Sequence, residues 1–194
     1  METDIILHGE SLEILKTLPN ESIDCVVTSP PYWGLRDYGV ENQLGLEKNL
    51  KEYLNKLCDI FDEVKRVLKQ TGTCWVNLGD TYNSSPAGGI GYNAKVGATK
   101  NGVQSTNKGL QKNISEKCLC QIPSRFAIEM TDRGWILRNE IIWHKPNCMP
   151  SSINDRFTVD FEKLFFFVKN KKYYFKQQFE KGNPEGSHSQ GHSG

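Results

Sequence analysis

Ser29-Pro30-Pro31-Tyr32 stands at the end of the apolar run Ile23-Asp24-Cys25-Val26-Val27-Thr28. Two prolines in series donate no N–H and fix φ, so the carbonyls around them stay off any sheet ladder and point in set directions. A serine hydroxyl precedes them and an aromatic ring follows. Rigid acceptors beside a flat ring suit one chemistry well: holding a planar base by its exocyclic amine. Pro-Pro after a strand is more often a plain turn, so the flanking elements have to carry the distinction.

Those elements alternate. Ile5-Ile6-Leu7 reads as a short strand running through His8-Gly9-Glu10 into a helix capped at Ser11, with Leu12, Leu15 and Leu18 at helical spacing before Pro19. Strand 23–28 follows. From Leu46 to Leu68 an apolar residue recurs every three or four positions, the stripe of a long amphipathic helix that Gly72 is placed to end. Thr73-Cys74-Trp75-Val76-Asn77-Leu78 is a buried strand, residues 122–132 a helix, and Trp135 to Trp143 another strand. Leu164-Phe165-Phe166-Phe167-Val168 and Tyr173-Tyr174-Phe175, joined by Lys169-Asn170-Lys171-Lys172, read as a hairpin. This order predicts an α/β fold with a mostly parallel twisted sheet and an antiparallel hairpin. Residues 83–113 are poor in large apolar groups and predict a mobile loop. Its Gly88-Gly89-Ile90-Gly91 lacks the preceding strand and following acid of a nucleotide-binding turn. The domain expectation is one catalytic region over 1–180 and a disordered Gly/Ser/His/Gln-rich tail over 181–194.

With 194 residues the chain has enough length for one core. No run approaches a membrane span and the start lacks a basic signal segment, which predicts a cytoplasmic protein with no membrane partner. The six cysteines are scattered without a C-x-x-C pair; Cys25 and Cys74 read as small buried hydrophobes in a reducing compartment, and no metal site is expected. Charge is unevenly spread. Residues 1–63 hold 5 Lys/Arg against 13 Asp/Glu, and residues 64–194 hold 19 against 10. A basic second part points to an anionic partner such as nucleic acid.

The longer run from Asp24 through Ser29-Pro30-Pro31-Tyr32-Trp33-Gly34-Leu35-Arg36 to Gly39 resembles the catalytic segment of amino-group DNA methyltransferases, whose motif is [DNS]-P-P-[YFW] at a strand end. His8 to Glu13 resembles the family's segment after its third strand, Gly72 to Asp80 its fifth-strand segment, and Arg138 to Asn147 the strand bordering the target-base pocket. Together the resemblance covers about residues 4–175. It implies a partial Rossmann-like, S-adenosylmethionine-dependent methyltransferase fold acting in restriction-modification on double-stranded DNA, in the cytoplasm of a bacterium or of a phage's host. The implied catalytic residues are Ser29, Pro30, Pro31 and Tyr32. The Ser29 hydroxyl and Pro30 carbonyl would accept from the amine of a flipped base stacked on Tyr32. Gly9, Glu10, Ser29 and Pro30 are the implied cofactor contacts, and Trp33, Arg36, Arg138, Lys145 and Arg156 the implied DNA contacts. Serine at the motif's first position favours cytosine N4 and leaves adenine N6 as the alternative. C5 methylation needs a Pro-Cys nucleophile that this sequence does not contain. Protein-glutamine methyltransferases carry Asn-Pro-Pro-Tyr instead.

The family's Phe-x-Gly-x-Gly cofactor turn has no match here. The expectation is therefore a truncated catalytic part, completed by a second chain carrying that turn or by a homodimer mate. A non-catalytic DNA-binding remnant is the competing reading, with phosphate contacts only.

Overall fold

A computed structural model describes residues 4–83, 110–148 and 154–178. Its elements are α1 (Ser11–Thr17), β1 (Ile23–Thr28), α2 (Leu50–Val67), β2 (Leu68–Leu78), α3 (Ile122–Asp132), β3 (Ile136–His144) and β4 (Phe161–Val168). The four strands lie in the order β1-β2-β4-β3. β1 runs parallel to β2, whereas β4 is antiparallel to both neighbours and forms with β3 the antiparallel pair at one edge.

The amphipathic stripe of α2 is the main source of the core. Asn49 caps its start, accepting from the Glu52 N–H at 2.9 Å. Leu50, Leu54, Leu57, Phe61 and Val64 then point inward with Tyr53 and Cys58 between them. α2 and α3 cover one face of the sheet, where Phe126 meets Phe61 edge-on at 5.2 Å and Phe167 at 6.0 Å. Each such ring adds on the order of 2–3 kcal/mol of transfer free energy when buried. On the opposite face Trp75 stacks on Phe166 at 4.2 Å, with Tyr173 and Phe175 packed around Phe166.

Several boundaries differ from the sequence expectations, each for a physical reason. α2 passes directly into β2 at Leu68, so Gly72 is a buried residue inside the strand and does not end the helix. Residues 173–175 form no strand, because both edges of β4 are already occupied by β2 and β3. The segment instead lies against the sheet through its rings and one bond from the Tyr174 N–H to the Thr71 carbonyl, 2.8 Å. Ile5-Ile6-Leu7 is not a strand either, and Ile6 is 97% exposed. No strand among the described residues pairs with the outer edge of β1. Val27, opposite Trp75, is accordingly 75% exposed, and Cys25 is exposed where burial was expected; Cys74 is buried. Residues 84–109 of the anticipated loop and the tail 181–194 fall outside the described residues. The loop's flanks are anchored: Asn83 and Gln111 are buried and bond each other twice, at 2.9 and 3.1 Å.

Candidate active site

Register alone assembles the site. Thr28 pairs with Val76 in the parallel ladder, so the next residues, Ser29 and Asn77, leave adjacent strand ends side by side. β4 enters antiparallel beside them, with Lys163 opposite Leu78. Glu162 therefore lies next to the strand end, and its β3 partner Trp143 stands two residues before Lys145. Open α/β sheets place ligand sites at the carboxyl ends of their parallel strands, and this cluster occupies that position.

The hydroxyls converge on one amide. Asn77, 7% exposed, donates through Nδ2 to the Lys163 carbonyl at 3.3 Å, which turns its Oδ1 toward the motif. That oxygen receives the Ser29 hydroxyl at 3.3 Å and the Tyr32 hydroxyl at 2.9 Å. Tyr32 Oη also lies 3.1 Å from Glu162 Oε2, and Glu162 is paired through Oε1 with the Lys145 ammonium. Burial pushes the Tyr32 phenol up to about 12, the neighbouring Glu162 carboxylate adding to the rise, so it stays protonated at neutral pH.

The two proline carbonyls differ. That of Pro31 accepts from the buried Tyr53 hydroxyl at 2.9 Å. That of Pro30 accepts no hydrogen bond among the described residues, and the Ser29 side chain beside it is exposed.

Two glycines permit this packing. A Cβ on Gly79 would lie 2.4 Å from Tyr32 Cε2, so the ring sits where only a bare backbone leaves room. Gly45, at φ +98°, brings its backbone against Tyr32, and a Cβ there would meet the Tyr32 carbonyl at 3.0 Å. The following loop is fixed by Glu47, whose buried carboxylate accepts from the Gly45 N–H at 2.9 Å with Lys56 Nζ 3.5 Å away.

The other residues singled out from sequence are not gathered at this cluster. Trp33 belongs to the core, 1% exposed, with Nε1 donating to the Glu47 carbonyl at 3.0 Å; it is not a surface available to DNA. Its indole follows the Pro-Pro turn inward because the next loop folds over it. Arg138 lies at the start of β3, seven residues and roughly 23 Å of strand from Lys145, so it is remote from Ser29. Its guanidinium bonds and stacks on Tyr173. Arg156 stacks on the Tyr82 ring at 3.6 Å. Arg36 is exposed. Glu10, and not Ser11, caps α1: its carboxylate accepts from the Glu13 N–H at 2.9 Å. A Cβ on Gly9 would meet Ile14 Cδ1 at 3.0 Å, a packing reason for that glycine. No hydrogen bond or ion pair among the described residues links Gly9 or Glu10 to Ser29–Tyr32.

Sequence reading missed Asn77, Glu162 and Gly79 as parts of the cluster. One signal was present: Glu162 is an acid one step into the phenylalanine-rich strand Phe161–Val168, a costly place for a charge without a partner.

The fold is that of the S-adenosylmethionine-dependent DNA methyltransferases. Among solved structures, the cytosine-N4-specific PvuII DNA methyltransferase superposes with a TM-score of 0.58 at 23% identity, over 85% of this chain and 49% of that one. A DNA modification methylase of Thermus thermophilus, TTHA0409, complexed with S-adenosyl-L-methionine, gives 0.55 at 22% identity over 88% and 55%. A family model described as a DNA methylase, N6_N4_Mtase, matches residues 23–194, and the chain belongs to that family. Curated relatives include the Type II methyltransferases M.Cfr9I of Citrobacter freundii and M.SmaI of Serratia marcescens. Each is 44% identical over 170 residues, which is 88% of this chain but 56% and 57% of theirs. The chain thus spans just over half the length of the curated relatives it matches.

Proposed function

We propose that this chain carries the base-binding part of an amino-group DNA methyltransferase that modifies the exocyclic N4 of cytosine in double-stranded DNA. The observation that carries this reading is the pair of acceptors at the end of β1: the exposed Ser29 hydroxyl and the Pro30 carbonyl without a donor. An aromatic amine is a poor nucleophile because its lone pair is delocalised into the ring. Two acceptors draw its N–H bonds out of plane and free that pair. A base must leave the duplex to reach this turn. Ser29 supports cytosine N4 over adenine N6, as does the specificity named for the PvuII enzyme.

S-adenosylmethionine would supply an electrophilic methyl group. The Ser29–Pro30 end of the turn fits the reacting side of such a site, but Glu10 is committed to capping α1. The main grip on the cofactor is therefore assigned to a segment bearing Phe-x-Gly-x-Gly, supplied by further sequence, by a second chain or by a homodimer mate. The open outer edge of β1 and the exposed Val27, Ile5, Ile6 and Leu7 offer a surface for it. Where these proteins act, the bacterial or phage-host cytoplasm, is part of the same reading. No helix among the described residues is long and apolar enough to cross a membrane.

The test is methyl transfer from labelled cofactor to duplex DNA, with this chain combined with the cofactor-binding part. Nucleoside analysis should show N4-methylcytosine; N6-methyladenine would reassign the base. Ser29→Ala should cut incorporation by roughly 10²-fold or more, the scale of one lost positioned polar contact in a reaction centre. Unchanged incorporation would refute the site.

A further inference from the structure

The hydrogen atoms in the Ser29–Tyr32–Asn77–Glu162 cluster do not match its contacts, and the mismatch has a chemical meaning. Three close oxygen pairs are present: Ser29 Oγ to Asn77 Oδ1, Tyr32 Oη to Asn77 Oδ1, and Tyr32 Oη to Glu162 Oε2. A carboxylate and an amide oxygen bring no proton, so two hydroxyl protons serve three contacts. The Asn77 amide cannot turn to help, since its Nδ2 is held by the Lys163 carbonyl.

Two arrangements resolve the count. With Glu162 ionised, Tyr32 donates to Glu162 and Ser29 donates to Tyr32 Oη, a hydrogen bond its position also allows. With Glu162 protonated, Glu162 donates to Tyr32 Oη, and both hydroxyls swing to Asn77 Oδ1. The cluster accommodates one extra proton merely by rotating two O–H bonds.

Methylation of an amine releases that proton. The nitrogen gains a C–N bond as the methyl–sulfur bond breaks, and the product ammonium-like nitrogen must then lose one N–H proton to return to neutrality. We propose that Ser29, Tyr32 and Glu162 form a relay that carries this proton away. The amine proton passes to Ser29 Oγ as the serine proton moves to Tyr32 Oη and the tyrosine proton to Glu162 Oε2. The carboxylate becomes a carboxylic acid, and the ring and serine end neutral. Glu162 then discharges to water, its side chain being 20% exposed, and the cluster resets. This deepens the proposed methyltransferase reading and rests on it.

The surroundings suit an acceptor that stays ionised between turnovers. Lys145, from the segment after β3, pairs with Glu162 Oε1, and Tyr32 approaches the other oxygen. The neighbouring Lys163 is turned by strand alternation to the other face, where it pairs with Glu140, and His144 faces Asp160 at 3.7 Å. Tyr32 is thus a phenol serving for its hydroxyl as well as its ring, and Glu162 acts through it.

The experiment compares wild type with Tyr32→Phe and Glu162→Gln in the complete methyltransferase, under single turnover on duplex DNA across pH. Tyr32→Phe keeps the ring; Glu162→Gln keeps the shape. Both should lower the single-turnover rate by roughly 10- to 100-fold, at or below the usual range for positioned proton transfer because water can substitute in part, with DNA affinity unchanged. The wild-type rate should fall on the acid side as Glu162 takes a proton from solvent, and Glu162→Gln should abolish that acid limb. A second readout needs no turnover: the Tyr32 hydroxyl proton signal in nuclear magnetic resonance should shift as pH is lowered in wild type and stay fixed in Glu162→Gln. Unaltered rates and pH profiles in both variants, or a Tyr32 signal blind to pH, would overturn the relay. If Ser29→Ala abolishes transfer while these two variants do not slow it, the relay fails and the site reading stands. If Ser29→Ala is also silent, both fail.

Discussion

Replacing Gly79 by alanine tests whether Tyr32 is held where the structure places it. The added Cβ would lie 2.4 Å from Tyr32 Cε2 and 2.8 Å from Cδ2, whereas carbon atoms settle at roughly 3.5–4.0 Å. The ring must therefore retreat by about 1 Å, which overstretches its hydroxyl contacts at 2.9 Å with Asn77 and 3.1 Å with Glu162. Overpacking costs about 1–3 kcal/mol, and losing a hydrogen bond to a charged group about 1.5–3 kcal/mol. Since the ring relieves the clash by giving up the bond, the two costs partly overlap, and a net loss of about 2–4 kcal/mol is expected. At roughly 2–4 °C per kcal/mol for a chain of this size, the melting temperature should fall by about 5–15 °C. Urea unfolding followed by circular dichroism reads the same quantity.

The double variant supplies the refutation. Tyr32→Ala removes the ring that Gly79→Ala strikes, so the alanine at 79 should cost almost nothing in that background. The double-mutant cycle should show a coupling of at least about 1.5 kcal/mol, well outside the roughly 0.3–0.5 kcal/mol scatter of independent sites. Additive effects would mean that Tyr32 does not rest on Gly79, and the cluster built on that contact would be lost with it.

Glu47 should prove structural: its carboxylate is buried, and Glu47→Ala should destabilise the chain by about 1–3 kcal/mol by leaving the Gly45 N–H without its acceptor. Glu47→Gln, which keeps an acceptor, should cost less in the same denaturation assay. Glu10 carries a pH-dependent contribution. Burial works against its charge, but the Glu13 and Leu12 N–H groups outweigh it and hold the carboxyl below its ordinary 4.5. A lowered folded value means stability present above 4.5 and lost as pH falls through that folded value. Glu10→Gln should flatten that part of the acid profile, and amide exchange in α1 should report it; an unchanged profile would remove the cap from the account.

Much of the fold could be read from the chain because its signals are local. The stripe from Leu50 to Val67, the β-branched run 23–28 and the helix over 122–132 each declare themselves by period and composition. Pairing is not local, and there the reading failed. Tyr173-Tyr174-Phe175 looks like a strand by residue type, yet β4 had no free edge left for it. Ile5-Ile6-Leu7 looks like one too, but a strand exists only where a partner ladder does. For the site, the two prolines announced a fixed turn, whereas the burial of Trp33 depended on where the loop through Glu47 returned.

The distance in sequence between the site's parts explains why only one of them was visible. Ser29 and Tyr32 lie within one turn, but Asn77 is 48 residues beyond Ser29 and Glu162 is 130 beyond Tyr32. What joins them is the order β1-β2-β4, which sets the carboxyl ends of two parallel strands against the amino end of an antiparallel third. A proline turn at the first end, an amide at the second and an acid at the third then meet without any long side chain reaching across. That economy makes the arrangement sensitive to register. A one-residue slip of β4 against β2 would put Lys163 where Glu162 stands and set an ammonium against the Tyr32 hydroxyl. The stacked Trp75–Phe166 pair on one face and Phe167 against Phe126 on the other oppose that slip, because each ring would change sides. The same aromatic packing that stabilises the sheet therefore fixes the charge that faces the candidate base-binding turn.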